Sequence, residues 1–392
     1  MKEEQSNVNR YMQAAKELEL FVSGQAASDV FWRENGSKLY DKLKHYIWSW
    51  HKKYNYGKVK SPIAVSSSLF TRSGHANKYK DNIFSISDTL ALRPMSCPNH
   101  IVLYEARVNS YQNLPVKLFE FGDVFRQESS GSLQVLLRQR QFCQDDAHLF
   151  ARENQLPDLI SQYLELSSLV YRELGFEHIK YCVSLRPENR FGEDAQWDRA
   201  EEILLKCCRQ RNIEPIIQPG EGAFYGPKIE LQVVDQRGRW WQLGVIQLDY
   251  VLAQRFNLYY INEAGEKEVP VILHHAVLGS LERMIAVLLE SFGVHLPEFL
   301  HPIDCVIIPI NAQQSEYCHI VKSSYDAKNP LYRDALVDRS SESLSKKIQK
   351  WVSLGVPNIF VVGKKEEEKY REDKSIVVSK RLKNGQSVAF EI

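Results

Sequence analysis

Gln144-Asp145-Asp146-Ala147-His148 closes a block whose reading decides the fold. The block opens with Met95-Ser96-Cys97-Pro98-Asn99-His100 and Phe119-Glu120-Phe121-Gly122-Asp123-Val124-Phe125-Arg126-Gln127-Glu128, then passes through Arg138-Gln139-Arg140-Gln141-Phe142. Side chains alternate across a strand, so Gln144, Asp146 and His148 share one face while Asp145, Ala147 and Leu149 share the other. Far downstream, Leu273-His274-His275-Ala276 runs into Leu278-Gly279-Ser280-Leu281-Glu282-Arg283. Neighbours on a strand face opposite ways, so only one of His274 and His275 can join a given site.

Cys97, His148 and His274 are a donor set of mixed sulfur and nitrogen type. Three such ligands leave the fourth position of a zinc ion open, as a substrate-binding metal requires. No CxxC or HxxxH spacing ties them together, and a core holding two histidines and a buried thiol is the alternative reading. On extended chain Arg126 and Glu128 project together, as do Arg138 and Arg140. The planar guanidinium fork suits phosphate, although an ordinary sheet with solvated arginines fits the same residues. No GxxxxGK[ST] and no strand-linked GxGxxG occurs, which argues against a P-loop or Rossmann site. Taken jointly, these residues suggest activation of a small amino acid by ATP.

A chain of 392 residues with 44% hydrophobic content can bury one large core or two smaller ones. The formal net charge of +1 carries no global nucleic-acid signature, so any RNA contact must be local. Seven cysteines without regular pairing and a polar start, Met1-Lys2-Glu3-Glu4-Gln5, predict a reducing, cytoplasmic setting. No apolar run approaches the roughly 20 residues that span a bilayer.

Periodicity predicts helices over residues 9–22, 36–50, 155–174, 194–210 and 276–292. Strands are expected across 116–150, around the polar loop 129–132, and at 228–234, 240–248 and 269–274. Pro219-Gly220-Glu221-Gly222 is a turn signal. Beyond Leu300-His301-Pro302 the rhythm becomes strand 305–309, helix 313–323, strand 332–336, helix 341–352 and strand 358–362. That is a small α/β domain with a parallel core, followed by a charged, solvated stretch over 364–374.

Met95-Ser96-Cys97-Pro98, Gln144 to His148, Gly220-Glu221-Gly222-Ala223-Phe224-Tyr225-Gly226-Pro227-Lys228 and His274 to Arg283 together resemble the threonyl-tRNA synthetases, class II aminoacyl-tRNA synthetases. The similarity runs from about Tyr11 to the C-terminus. It implies an α+β class II catalytic domain, an antiparallel sheet flanked by helices, over 1–300, and a small α/β anticodon-binding-type domain over 301–392. It also implies Zn2+ on Cys97, His148 and His274, and Mg2+ with ATP. Asp146 matches the carboxylate that takes the hydroxyl of L-threonine, and Tyr225 a residue that meets its amino group; Met95, Gln144 and Gln242 line the same pocket. Arg126 matches the arginine on the α-phosphate, and Arg138 and Arg283 those at the γ-phosphate. Glu128 matches the reader of the adenine amino group and Phe142 the ring that stacks on it, while Lys228, Gln247 and Ser280 lie nearby. Pro62 resembles the proline of a segment that builds a dimer interface, so ATP, threonine, tRNA and a second copy of the chain are the implied partners.

The chain opens where the family's catalytic domain opens, which implies an enzyme without its own editing domain. Val135 and Gln141 stand where the family leads one to expect glycines. Leu243 and Val245 replace smaller polar residues, and Ser341 and Ser379 fall near positions that read the anticodon. Those departures keep two rivals in view: a paralogue that adenylates an amino acid for another acceptor, and a non-catalytic RNA- or partner-binding regulator.

Overall fold

The computed structural model describes residues 10–26, 28–78, 80–107, 109–329 and 335–392. Val116–Phe125 and Gln141–Ala151 alternate in burial over 120–125 and 142–147, are buried throughout at 118–120 and 147–151, and pair antiparallel from Val116 with Phe150 to Phe125 with Gln141. They belong to an eight-stranded sheet. In chain order its strands are β1 (Gly57–Lys58), β2 (Val116–Phe125), β3 (Gln141–Ala151), β4 (Ile179–Ser184), β5 (Ile216–Gln218), β6 (Lys228–Val234), β7 (Trp240–Asp249) and β8 (Val271–Ser280). Their spatial order is β1-β2-β3-β8-β7-β6-β4-β5. The six inner strands are antiparallel, as expected, while β1 and β5 join the two edges in parallel.

Among the described residues the helices are α1 (Arg10–Glu17), α2 (Glu34–Lys53), α3 (Cys97–Glu105), α4 (Leu156–Glu173), α5 (Asp194–Gln210), α6 (Leu281–Phe292), α7 (Ser315–Lys328), α8 (Leu344–Ser353) and α9 (Lys364–Asp373), apart from shorter turns. One sheet face is covered by α4 and the second half of α2, where His51 packs on Phe119 and stacks on His275. The other face is covered only in part. There Phe150 and Ile272 pack with Ile101 and Tyr104 of α3, and the rows beyond stay open.

Several sequence expectations are corrected. The helix expected over 9–22 ends at Glu17: Glu19 adopts φ 54°, Leu20 N–H reaches Ala15 O at 2.9 Å, and Glu19 N–H reaches Lys16 O at 3.1 Å, a Schellman stop that the apolar spacing does not reveal. The helix expected over 276–292 begins only at Leu281, because β8 runs on to Ser280. Its register against β3 slips between Ala276 and Ser280, so the stretch 277–279 is a bulge. Asp145 accepts from Val277 and Leu278 N–H at 2.9 and 3.0 Å, and the hydroxyls of Tyr163 and Tyr171 in α4 donate to Ala276 O and Val277 O at 3.1 and 2.6 Å. Gly279 takes φ 78° there, and a Cβ would lie 2.7 Å from Leu243 O. The arginines expected on strands lie beyond them, since β2 stops at Phe125 and β3 starts at Gln141.

The chain divides into two units, the described residues of 1–22, 31–43 and 288–392 in one and 23–30 and 44–287 in the other. The first contains a five-stranded sheet of β9 (Cys305–Pro309), β10 (Ala335–Val337), β11 (Asn358–Val362), β12 (Val377–Arg381) and β13 (Ser387–Glu391), in the order β10-β9-β11-β12-β13. The strands β10, β9 and β11 run parallel, as expected; residues 332–334 of the strand expected before Ala335 lie outside the described residues. Cys305 and Ile307 face α7 through Tyr317 and Val321, whereas Val306 and Ile308 face α8 through Trp351. Burial on both faces is why this strand reads as an unbroken apolar run. The helix α9 buries no residue, in keeping with its charge.

Candidate active site

Sheet register builds the site. Paired residues on adjacent strands share a face, so each ladder rung extends into a row. One row runs Leu118, His148, His274, Gln247, Lys228, and the next runs Glu120, Asp146, Ala276, Val245, Glu230. A third holds Gly122, Gln144 and Ser280. At Gly122 a Cβ would lie 2.4 Å from Ser96 Oγ, so the missing side chain lets the segment leading into α3 approach the sheet. These rows form the floor of a cavity of about 410 Å3 lined by Met95, Cys97, Arg126, Gln144, Asp146, His148, Tyr225, Lys228, Gln247 and His274, with Glu221 to Ala223 and Val245.

Cys97, at the first turn of α3, His148 and His274 are buried, and one donor atom from each lies within 4.8 Å of the other two. His274 Nε2 is bonded to Asp249 at 2.9 Å, and His148 Nδ1 to His100 at 2.8 Å. Burial, and then the neighbouring His100 and His274, push His148 well below its ordinary pKa, so its ring stays neutral as metal ligation needs. The Cys97 thiol is pushed up by burial and by Asp146 and Asp249, and a cation is what would draw it to the thiolate. The donor set therefore fits one zinc ion with an open position. His275 faces the other side, where Tyr56 meets its Nε2 at 2.7 Å.

The Tyr225 hydroxyl donates to Gln247 Oε1 at 2.5 Å, and its ring lies 5.1 Å from that of His274. Asp146 Oδ1 stands 3.9 Å from His148 Nε2. Lys228 pairs with Glu230 at 2.6 Å. Arg126 Nε donates to Pro94 O at 3.1 Å and its guanidinium lies 5.0 Å over the Phe142 ring.

Other expected residues stand off the pocket. Gln242 points to Glu230, and Arg138 is paired with Glu128 at 2.8 Å on the exposed connection between β2 and β3. Ser280 Oγ accepts from Arg283 N–H at 3.1 Å. Arg283 Nε is buried without a partner among the described residues, and burial together with Arg138 lowers its pKa. A buried guanidinium nitrogen without a partner, with a second cation near enough to repel it, suits an anion. Leu243 is buried outside the pocket lining, whereas Val245 is part of it.

The sequence reading missed Glu120, His100, Asp249 and Glu230, all buried. Glu120 and Glu230 sit on rungs with Asp146 and Val245, so extending the alternation across strands would have found them. Nothing local marks His100 or Asp249.

Profile comparison matches residues 81–292 to the tRNA synthetase class II core domain (G, H, P, S and T) and 304–391 to an anticodon binding domain. The chain thus belongs to the family of class II tRNA synthetase core domains, whose matched stretch contains the site-bearing strands β2 to β8. The threonine–tRNA ligase of Anaplasma marginale (strain St. Maries) is 39% identical over 356 residues, 90% of this chain and 56% of that protein. That of Francisella philomiragia subsp. philomiragia is 36% identical over 389 residues, covering 98% and 60%. The crystal structure of the RNA binding domain of threonyl-tRNA synthetase from Cryptosporidium parvum Iowa II aligns with a TM-score of 0.89 at 33% identity, over 97% of this chain and 95% of that one. Within the class, the chain belongs to the threonyl-tRNA synthetase family. It spans 56–60% of the length of these two curated relatives.

Proposed function

We propose that the chain joins L-threonine to ATP as threonyl-adenylate and passes the threonyl group to tRNA. The observation that carries this reading is the single pocket in which Cys97, His148 and His274 converge beside Asp146, Tyr225, Lys228 and Arg126. The threonine carboxylate attacks the α-phosphorus in line and pyrophosphate leaves. Arg126 stabilises the charge that develops on the α-phosphate, helped by Mg2+ carried with ATP. Arg138 and Arg283 hold the γ-phosphate end, for which Arg138 leaves Glu128; Glu128 then reads the adenine amino group, and Phe142 stacks on the ring.

Cys97, His148 and His274 would hold zinc, which when bound supplies a Lewis-acid seat for the amino and hydroxyl groups of threonine. Asp146 accepts from that hydroxyl and Tyr225 meets the amino group. Valine offers no hydroxyl to Asp146, and a site built around a polar group rejects an analogue lacking it by roughly 10⁴-fold or more. Serine lacks one methyl, worth about 1–3 kcal/mol. The reading also takes residues 1–300 as catalytic and 301–392 as anticodon-binding, the active form as a homodimer joined near Pro62, and the cytoplasm as its location. No helix among the described residues is long and apolar enough to cross a membrane.

The test is amino-acid-dependent exchange of pyrophosphate into ATP with threonine, serine and valine, followed by charging of total tRNA. Strong exchange with threonine, weaker exchange with serine, almost none with valine, and charged tRNA are expected. Exchange without charging would move the acceptor away from tRNA, and no exchange with any of the three would overturn the reading.

A further inference from the structure

A metal takes an imidazole only through a nitrogen that carries a lone pair, so a ligand histidine must be held in one tautomer. His274 meets this need directly. Asp249 bonds its Nε2 at 2.9 Å, and Asp249 is itself fixed by Val251 and Leu252 N–H at 2.7 and 2.9 Å.

His148 has no carboxylate on its far nitrogen. Its Nδ1 meets His100 Nδ1 at 2.8 Å, and His100 Nε2 meets Glu120 Oε2 at 3.2 Å. The other partners of Glu120 all donate: Ser61 through its N–H at 2.9 Å and its hydroxyl at 2.7 Å, and the Arg93 guanidinium at 3.2 and 3.3 Å. Glu120, His100 and Arg93 are almost wholly buried, so no water competes for these bonds. Surrounded by donors, Glu120 can only accept from His100.

We infer that His100 and Glu120 are positioning residues for the metal. Glu120 takes the Nε2 proton of His100, the bare Nδ1 of His100 takes the Nδ1 proton of His148, and the Nε2 lone pair of His148 is left on the pocket side, near Asp146. This rests on the reading of Cys97, His148 and His274 as zinc ligands. The direction of the relay is set at its far end. In Glu120→Gln, with the amide oxygen at the Oε1 place, Ser61 N–H and Arg93 Nη2 keep their acceptor, while the amide nitrogen at the Oε2 place donates to His100 Nε2 and the bond from Arg93 Nη1 is lost. The proton of His100 then sits on Nδ1, and His148 must carry its own proton on Nε2, where the metal needs a lone pair. One atom, two side chains away from the metal, reverses the tautomer.

The experiment is Zn2+ titration of the full chain against a chromophoric chelator, with thermal melting alongside. One zinc per chain is expected for the wild type, with affinity lowered roughly 10–100-fold in Glu120→Gln and in His100→Leu. In His100→Gln the amide can donate to Glu120 and accept from His148, so its affinity should stay within a few-fold of wild type. If Glu120→Gln fails to fold, the two His100 variants decide. Zinc held as tightly by His100→Leu as by the wild type overturns the relay and leaves the metal reading standing. A wild-type chain that binds no zinc overturns both.

Discussion

Asp146 and His148 lie two residues apart on one face of β3, with Asp146 Oδ1 3.9 Å from His148 Nε2. If the trio of Cys97, His148 and His274 holds zinc as proposed, this carboxylate, outside the trio, is placed to recognise what the metal would hold. Asp146→Ala should lower threonine-dependent exchange by about 100-fold or more and narrow the gap between threonine and valine, with bound zinc unchanged. Loss of zinc together with activity would make Asp146 a ligand instead.

Arg126 leans on Pro94 O through Nε and lies over Phe142, which leaves the end of its fork free to meet an oxyanion. Removing such a donor typically costs roughly 10²–10³-fold in rate. Arg126→Ala should lose exchange on that scale with its melting temperature near that of the wild type. Arg126→Lys should not restore it, because an ammonium cannot make the paired bonds. Near-normal exchange in Arg126→Ala would remove its role.

Acid should weaken the fold through His51. Burial pushes its pKa down to about 4 from the ordinary histidine value of 6.5, against a bond to Ile47 O that raises it. The folded chain therefore binds fewer protons than the unfolded chain between these values, so stability rises with pH across that window and is lost as pH falls from 6.5 towards 4. The effect is on the order of a few kcal/mol. Urea unfolding at pH 4.5 and 7 should show a smaller difference in His51→Phe, which keeps the ring packed on Phe119; an unchanged difference would assign the acid sensitivity elsewhere.

Lys42 and Asp304 form a buried pair at 2.6 Å, and Lys42 Nζ also reaches His301 O at 2.5 Å. Removing one member leaves a buried charge without its partner, at a cost of about 3–5 kcal/mol. Lys42→Met should lower stability on that scale, and the double variant Lys42→Met with Asp304→Leu should recover most of it. A small loss in the single variant, measured by denaturant unfolding, would show that Asp304 finds another partner.

Val135 holds φ 36°, a conformation that costs a β-branched residue roughly 1–3 kcal/mol. Glycine gives back about 0.5–1 kcal/mol as unfolded-state entropy. Val135→Gly should therefore stabilise the chain by about 1 kcal/mol, seen as a higher melting temperature. A lower one would mean that the valine side chain packs well enough to outweigh its backbone.

Much of this was legible in the residues. Helix 194–210 and strands 228–234 and 358–362 coincide with the observed elements, because their periodicity and bounding turns agree. The alternation in Gln144, Asp146 and His148 placed the floor of the pocket correctly. What failed was non-local. The continuation of β8 past Ala276 depends on Tyr163, Tyr171 and Asp145, which supply bonds that no window around 276–280 contains. The strand geometry assumed for Arg126 to Arg140 failed because strand propensity says nothing about where a long hairpin opens. His100 was passed over because its meaning comes from Glu120 and His148, which meet it only in the fold.

The bulge at 277–279 works as a keyway between the pocket floor at His274 and Arg283, which lies outside the pocket. His274 is locked to the sheet before it, Arg283 to a helix after it, and only the intervening length fixes the phase of one against the other. Deleting a single residue there would turn Arg283 by about 100° around the axis of α6 while His274 stayed where it is. On the proposed reading the metal seat and the triphosphate seat would each survive as a part, yet no longer face the same molecule, so the length of this stretch is held as tightly as its Gly279.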